Sequence, residues 1–208
     1  LYGPGKAAEY AGKQGWKPIE PGDVCWEDMD GNDVIDSYDR YVVGNIFPNI
    51  TGGFSTTFSY KNWSLYGRFD YALGHTLYND LKARTLGQYQ GTWNIITDVK
   101  DMWTEDNPNP NAELPRSRFS KGHPNTYQST FWVQQNAYYI RLKNLQLNYT
   151  FPEGWIQKAG INNLRLFISG NNLLTFTNVK YKDPESNTRN GWYYPQVKTL
   201  TVGVSMNF

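Results

Sequence analysis

Five stretches of this chain alternate apolar and polar residues with a period of two. That is the mark of a β-strand whose two faces meet different surroundings. In segment 51–60, Phe54, Thr56, Phe58 and Tyr60 share one face. In segment 63–74, Trp63, Leu65, Phe69, Tyr71 and Leu73 oppose Ser64, Tyr66, Arg68 and Asp70. In segment 137–151, Ile140 and Leu142 hold one parity while Leu145, Leu147, Tyr149 and Phe151 hold the other. The switch predicts a β-bulge near Lys143-Asn144. Segment 163–174 sets Leu164, Leu166 and Ile168 against Arg165, Phe167 and Ser169. The most regular is 197–208, with Leu200, Val202, Val204, Met206 and Phe208 on one side and Thr201, Gly203, Ser205 and Asn207 on the other.

Length gives these strands a meaning. Ordinary strands run about 5–6 residues, and these run about twice that. A strand of about 12 residues, at roughly 3.3 Å per residue and a tilt of about 45°, rises on the order of 28 Å, the thickness of bilayer hydrocarbon. The connections alternate as well: short at 61–62, long at 75–136, short at 152–162, long at 175–196. Short periplasmic turns and long extracellular loops are the rhythm of a transmembrane barrel. The expected fold is therefore all-β: an antiparallel transmembrane β-barrel, represented by about five long strands with extracellular loops 75–136 and 175–196. Residues 1–50 fall on the outer side. The smallest such barrels have about eight strands, so the others are expected upstream of Leu1 or on another chain. With Leu at position 1 and no signal peptide, the chain reads as the carboxyl-terminal piece of something longer.

Composition narrows the field. Charge over 208 residues nearly balances, at +1, which gives no reason to expect a nucleic-acid partner. No apolar run approaches the roughly 20 residues of a transmembrane helix. A mean hydropathy of −0.67 still permits a barrel, because alternating strands average out as polar. The single cysteine, Cys25, forms no internal disulfide and reads as a partly buried thiol.

Residues Asp28 to Asp39 have the spacing of a twelve-residue EF-hand or dockerin calcium loop. Positions 1, 3 and 5 are Asp28, Asp30 and Asn32. Position 7 offers the Val34 carbonyl, position 9 is Asp36, and position 12 is Asp39. Oxygens at i, i+2 and i+4 reach a hard cation from one sharp turn, so the expected ion is Ca²⁺, with Mg²⁺ as the alternative. Two positions depart from the pattern. Asp33 stands where glycine is usual and must take a positive φ, and Asp39 stands where a bidentate Glu is usual. The other reading is an acidic turn held by Asx hydrogen bonds.

In order along the chain stand Pro21-Gly22-Asp23, the 28–39 loop, Gly44-Asn45 with Pro48, and the run Tyr139 to Leu145. Gly170 to Thr175, Asp183-Pro184-Glu185, Tyr194-Pro195 and the final strand follow. This ordered set, from about residue 15 to 208, resembles the carboxyl-terminal third or quarter of SusC/RagA-type TonB-dependent outer-membrane transporters of Bacteroidetes. The last strand, with Thr201, Gly203, Met206 and Phe208, is similar to the signal read by the bacterial barrel-insertion machinery. The resemblance implies a 22-stranded barrel with a plugged lumen in the bacterial outer membrane. It also implies energy from TonB through an amino-terminal part, a SusD-like lipoprotein as partner, and oligosaccharide or peptide substrates. A structural role for Asp183 and Glu185 comes with it.

Aromatics in the outer loops are the candidate contacts for substrate or lid: Trp103, Trp132, Trp192, Tyr193 and Tyr194 offer flat faces. For Trp192 to Tyr194, internal loop packing stands as an equal alternative. Trp63, Tyr71 and Trp155 read as the interfacial girdle of a barrel. Arg68, Asp70, Arg141, Lys143 and Arg165 are expected on the lumen side, because charge on the lipid face is costly. His75 and His123 sit in no triad or zinc spacing, and catalysis is not expected. The rival readings are a soluble extracellular glycan-binding β-module with a dockerin-like calcium loop, and a fragment of a secreted glycan-active enzyme. A sandwich would bury one face of each strand, and an enzyme would need a convergent carboxylate pair in a cleft.

Overall fold

The structure is a computed structural model that describes residues 20–34, 36–85, 96–109, 111–117, 133–186, 194 and 196–208. Five antiparallel strands follow one another in one sheet: β1 Ile50–Tyr60, β2 Trp63–Tyr78, β3 Val133–Thr150, β4 Asn163–Thr177 and β5 Thr199–Asn207. Each strand lies beside its sequence neighbour. A short helix, α1 (Asp80–Thr85), follows β2, and another, α2 (Glu153–Ile156), lies in the β3–β4 connection. A 3-10 turn spans Thr97–Asp101. Among the described residues, no helix is long and apolar enough to cross a membrane.

Two compact units share the chain. The first takes Leu1–Gly44, Leu77–Gln135 and Thr188–Gly191, and the second takes Asn45–Thr76, Asn136–Asn187 and Trp192–Phe208.

The second unit contains most of the sheet. β1 and β2 close a hairpin in which Tyr60 pairs with Trp63. Lys61 takes a φ of +51°, as a two-residue hairpin turn requires at its first central position. Asn62 then ties this turn to β3 by donating its side-chain N–H to the Thr150 carbonyl at 2.7 Å. Between β3 and β4 the register shifts between Leu142 and Asn144, where the alternation changes parity. Across β4 and β5 most rungs match like with like. Leu164 meets Met206, Leu166 meets Val204 and Ile168 meets Val202, while Arg165 meets Ser205 and Ser169 meets Thr201. The sheet therefore has one continuous apolar face and one polar face.

The apolar face lacks a protein cover: Val202 is 72 % exposed, and Phe54, Ile168, Phe176 and Leu200 are exposed with it. Uncovered apolar area of this extent marks a surface that meets a membrane or a partner. At one end of it Trp63 and Tyr149 pack ring to ring at 4.7 Å, and Phe151 meets Tyr149 edge-on at 5.0 Å. The polar face is knit by amides. Asn148 donates to the Ser64 hydroxyl at 3.1 Å, Asn144 to Ser169 and Asn171, and Asn171 to Thr199.

The first unit packs its own small core. Trp103 is only 5 % exposed and lies against Gly22, where a Cβ would come within 2.3 Å of the indole. Gly22, at φ +87°, is therefore glycine for two reasons, its backbone and the ring above it. The Arg116 guanidinium lies over the indole at 5.5 Å and pairs with Glu20 at 2.9 Å and Glu105 at 3.2 Å.

Candidate functional site

The loop 28–39 belongs to the first unit, and its geometry arises residue by residue. Asp28 accepts hydrogen bonds from the backbone N–H of Gly31 at 2.7 Å and of Asp33 at 2.7 Å. These bonds wrap the chain around the Asp28 carboxylate. They require left-handed backbone at Gly31 (φ +74°) and at Asp33 (φ +64°), and Asp is among the residues that tolerate it. Asp39 closes the loop from the far end. One of its oxygens accepts from Met29 N–H at 2.8 Å, the other from Asp36 N–H at 2.6 Å.

The result brings carboxylate oxygens of Asp28, Asp30 and Asp39 within 4.8 Å of one another. That spacing suits a hard cation held by oxygens from several carboxylates. Asn32 turns its side-chain oxygen to Val34 N–H at 2.7 Å, and Asp36 caps the 3-10 turn Ser37–Asp39 through Tyr38 N–H. Asp36 therefore stands outside the converging trio, as suits a position that reaches a cation through water. Val34 is exposed, while Ile35 lies outside the described residues.

The carboxyl of Asp28 titrates below the usual carboxylate range. Its partial loss of solvent, which alone would raise it, is outweighed by the N–H groups of Asp33 and Gly31.

A second constellation lies on the polar face of the second unit. Arg141, 3 % exposed, grips the segment after β4. Its Nη2 meets both oxygens of Asp183 at 3.1 and 3.0 Å, its Nη1 reaches Glu185 at 2.7 Å, and its Nε donates to the Thr175 hydroxyl at 2.9 Å. Lys143 adds a second cation on Glu185, 2.6 Å from its other oxygen. Asp183 shapes the turn it sits on by accepting from Glu185 N–H at 2.9 Å. From β2, the buried His75 ring is hydrogen-bonded to the Pro184 backbone, and since proline has no N–H the contact is to its carbonyl. Asp183 and Glu185 are thus taken up in ion pairs with a shared arginine, which suits a structural role.

The outer-loop aromatics divide. Tyr194 is 94 % exposed and offers its face. Trp103 does not, and the expectation of an outward contact is corrected for it: Gly22 and Arg116 lie against the ring. Trp132, Trp192 and Tyr193 lie outside the described residues, as does His123. Cys25 is also corrected, from partly buried to exposed. Among the last-strand residues, Thr201 lies on the polar face opposite Ser169 and Met206 on the apolar face opposite Leu164. Phe208 is exposed on the residue after β5. Gly203 has a local reason to be glycine: a Cβ there would stand 2.3 Å from the Phe167 ring.

Comparison with known proteins bears on these features. No protein-family model matches the chain. The TonB-dependent receptor P3 of Formosa agariphila is 33 % identical over 202 residues, covering 91 % of this chain and 19 % of that protein. The TonB-dependent receptor SusC of Bacteroides thetaiotaomicron is 24 % identical over 195 residues, covering 92 % and 18 %. Among solved structures, the RagAB peptide transporter superposes with a TM-score of 0.65 at 29 % identity, over 82 % of this chain and 19 % of that one. The RagAB peptide importer in its closed-closed state gives 0.65 at 31 % identity, over 90 % and 20 %. The chain spans about a fifth of the length of these relatives. They are receptors and transporters, not enzymes. Two faces of opposite polarity, strands each beside their sequence neighbour, and this agreement in sequence and fold match the chain to carboxyl-terminal β-barrel strands of SusC/RagA-type TonB-dependent transporters.

Proposed function

We propose that this chain forms the carboxyl-terminal strands and outer loops of an outer-membrane importer that takes up oligosaccharides or peptides. It works with a SusD-like surface lipoprotein and draws energy from TonB through the amino-terminal part of the same protein. The observation that carries this reading is the uncovered apolar face of a long-stranded sheet whose fold matches the RagAB transporter. Lipid covers that face, and the amide-lined face looks into the lumen. The exposed face of Tyr194 supports contact with substrate or lipoprotein, since aromatic rings stack on sugars and pack on peptides alike. The loop 28–39 holds Ca²⁺, or Mg²⁺ in its stead, through Asp28, Asp30, Asn32, Asp39 and the Val34 carbonyl, with Asp36 through water; the support is the convergence of three carboxylates. Bound there, the ion stiffens the outer segment and does no chemistry.

The soluble glycan-binding module is the rival, and it fits the uncovered face poorly. Uptake decides between them. Cells producing the full-length protein accumulate fluorescent oligosaccharides or peptides, and deletion of TonB abolishes the accumulation. Uptake that persists without TonB, or a protein recovered as a water-soluble monomer without detergent, overturns the proposal.

A further inference from the structure

The residues that follow β4 are fastened to the sheet on one side only. Tyr139, Arg141 and Thr175 stand on the polar face: Arg141 pairs with Thr175 and Tyr139 with Thr177, opposite in parity to the Ile140–Phe176 rung. Lys143, the bulge residue, reaches Glu185 from the same side. Three strands supply the ties, His75 from β2, Arg141 and Lys143 from β3, and Thr175 from β4 through Arg141. Between the ties the segment is packed down, with Val179, Lys182 and Pro184 buried.

A loop that merely rose from the wall into solvent would carry exposed ion pairs, which contribute little and let go readily. This pairing is desolvated, and removing one partner would strand a buried charge.

We propose that residues Asn178–Ser186 are an infolded segment, latched onto the lumen side of the barrel wall by Arg141 and Lys143, which narrows the outer mouth and limits the size of solute that passes. The inference rests on the importer reading above, which assigns the polar face to the lumen. It makes Arg141 a positioning residue: it touches no substrate, and it sets the aperture through Asp183 and Glu185.

Labelling of a single cysteine tests this. The full-length transporter, in intact cells and with its native cysteines, Cys25 among them, replaced by serine, carries Arg68→Cys on the polar face of β2. A small maleimide and one bearing a long polyethylene glycol chain are then compared. In the latched protein the small reagent reacts and the large one is excluded. Arg141→Met raises labelling by the large reagent about tenfold or more, because loss of one partner of a buried pair shifts the closed–open balance at least that far. Labelling by the small reagent stays unchanged, and Arg141→Lys, which keeps a single cation, falls between. If Arg141→Met fails to give a folded barrel, the charge-free variant Arg141→Met/Asp183→Asn/Glu185→Gln replaces it. Exclusion of the large reagent from the unlatched variant overturns the latch and leaves the importer standing. Failure of even the small reagent to reach Arg68→Cys, while a bilayer-soluble thiol reagent does, overturns the face assignment and the importer reading with it.

Discussion

Replacing Gly203 by alanine tests how the last strand is locked in register. A Cβ at this position would lie 2.3 Å from Cζ, 2.6 Å from Cε1 and 3.0 Å from Cε2 of Phe167. Carbon atoms rest at about 3.5–4.0 Å, so the ring must retreat by roughly 1.2–1.7 Å. Its partner Gly203 sits directly opposite across β4 and β5, so the displacement falls on the strand pair itself. Overpacking of this kind costs about 1–3 kcal/mol, or roughly 5- to 150-fold in the unfolding equilibrium. A glycine in a strand loses about 0.5–1 kcal/mol to chain entropy that alanine recovers, which must be separated from the clash. Gly67 serves as the control, because its nearest neighbours, Leu145 at 3.9 Å and Phe69 at 4.0 Å, already leave room for a methyl group. Gly67→Ala is expected to hold or gain stability while Gly203→Ala loses it, with about 1–3 kcal/mol between them. Urea unfolding of the full-length barrel in vesicles, followed by loss of the heat-modifiable band on gels, gives both values. In a Phe167→Ala background the Gly203→Ala penalty disappears, and the coupling equals the clash. Equal stability for the two glycine variants, or the same Gly203→Ala loss with and without the ring, would refute the steric argument.

The two faces are tested by one charge moved by one residue. Val202→Arg places a cation on the apolar face and is expected to lower folding stability by about 2–4 kcal/mol near the bilayer midplane, while Thr201→Arg costs little; equal losses would show that the faces do not differ in solvent. In the acidic loop, calorimetry is expected to detect calcium binding in the wild type and none in Asp28→Ala at millimolar calcium. Because Asp28 titrates low in the folded loop, its ionised form contributes stability above the usual carboxylate pKa of about 3.9, and that contribution is lost as pH falls through the lower folded value. Calcium affinity should therefore hold from neutral pH to about pH 5 and collapse below about pH 4; loss already at pH 6 would place control in some other group.

The strands were legible because a sheet between lipid and water repeats its instruction at every second residue. The ends were less so. β2 continues past the expected 74 to Tyr78, and the alternation breaks where Gly74 takes a φ of +75° and lets the strand bulge onward. β3 begins at Val133, four residues earlier than expected, because Gln134, Gln135 and Asn136 carry no apolar signal. The acidic loop was legible because its ligands are neighbours in sequence. The Arg141 latch was not: Asp183 and Glu185 stand 42 and 44 residues away, and no local spacing joins them to their arginine. Trp103 misled for the same reason, since the glycine it packs against comes from a distant part of the chain.

Pairing each strand with its sequence neighbour also determines what the wall can tolerate. Residues 79–132 separate β2 from β3, while residues 151–162 separate β3 from β4. Closing a loop costs free energy only as the logarithm of its length, so the longer connection adds roughly 1.3 kcal/mol over the shorter one. The rungs on either side of it do not change with what is inserted. Such a wall is indifferent to its insertions. Selection is free to lengthen, shorten or rewrite the connecting segments while the strands keep their register.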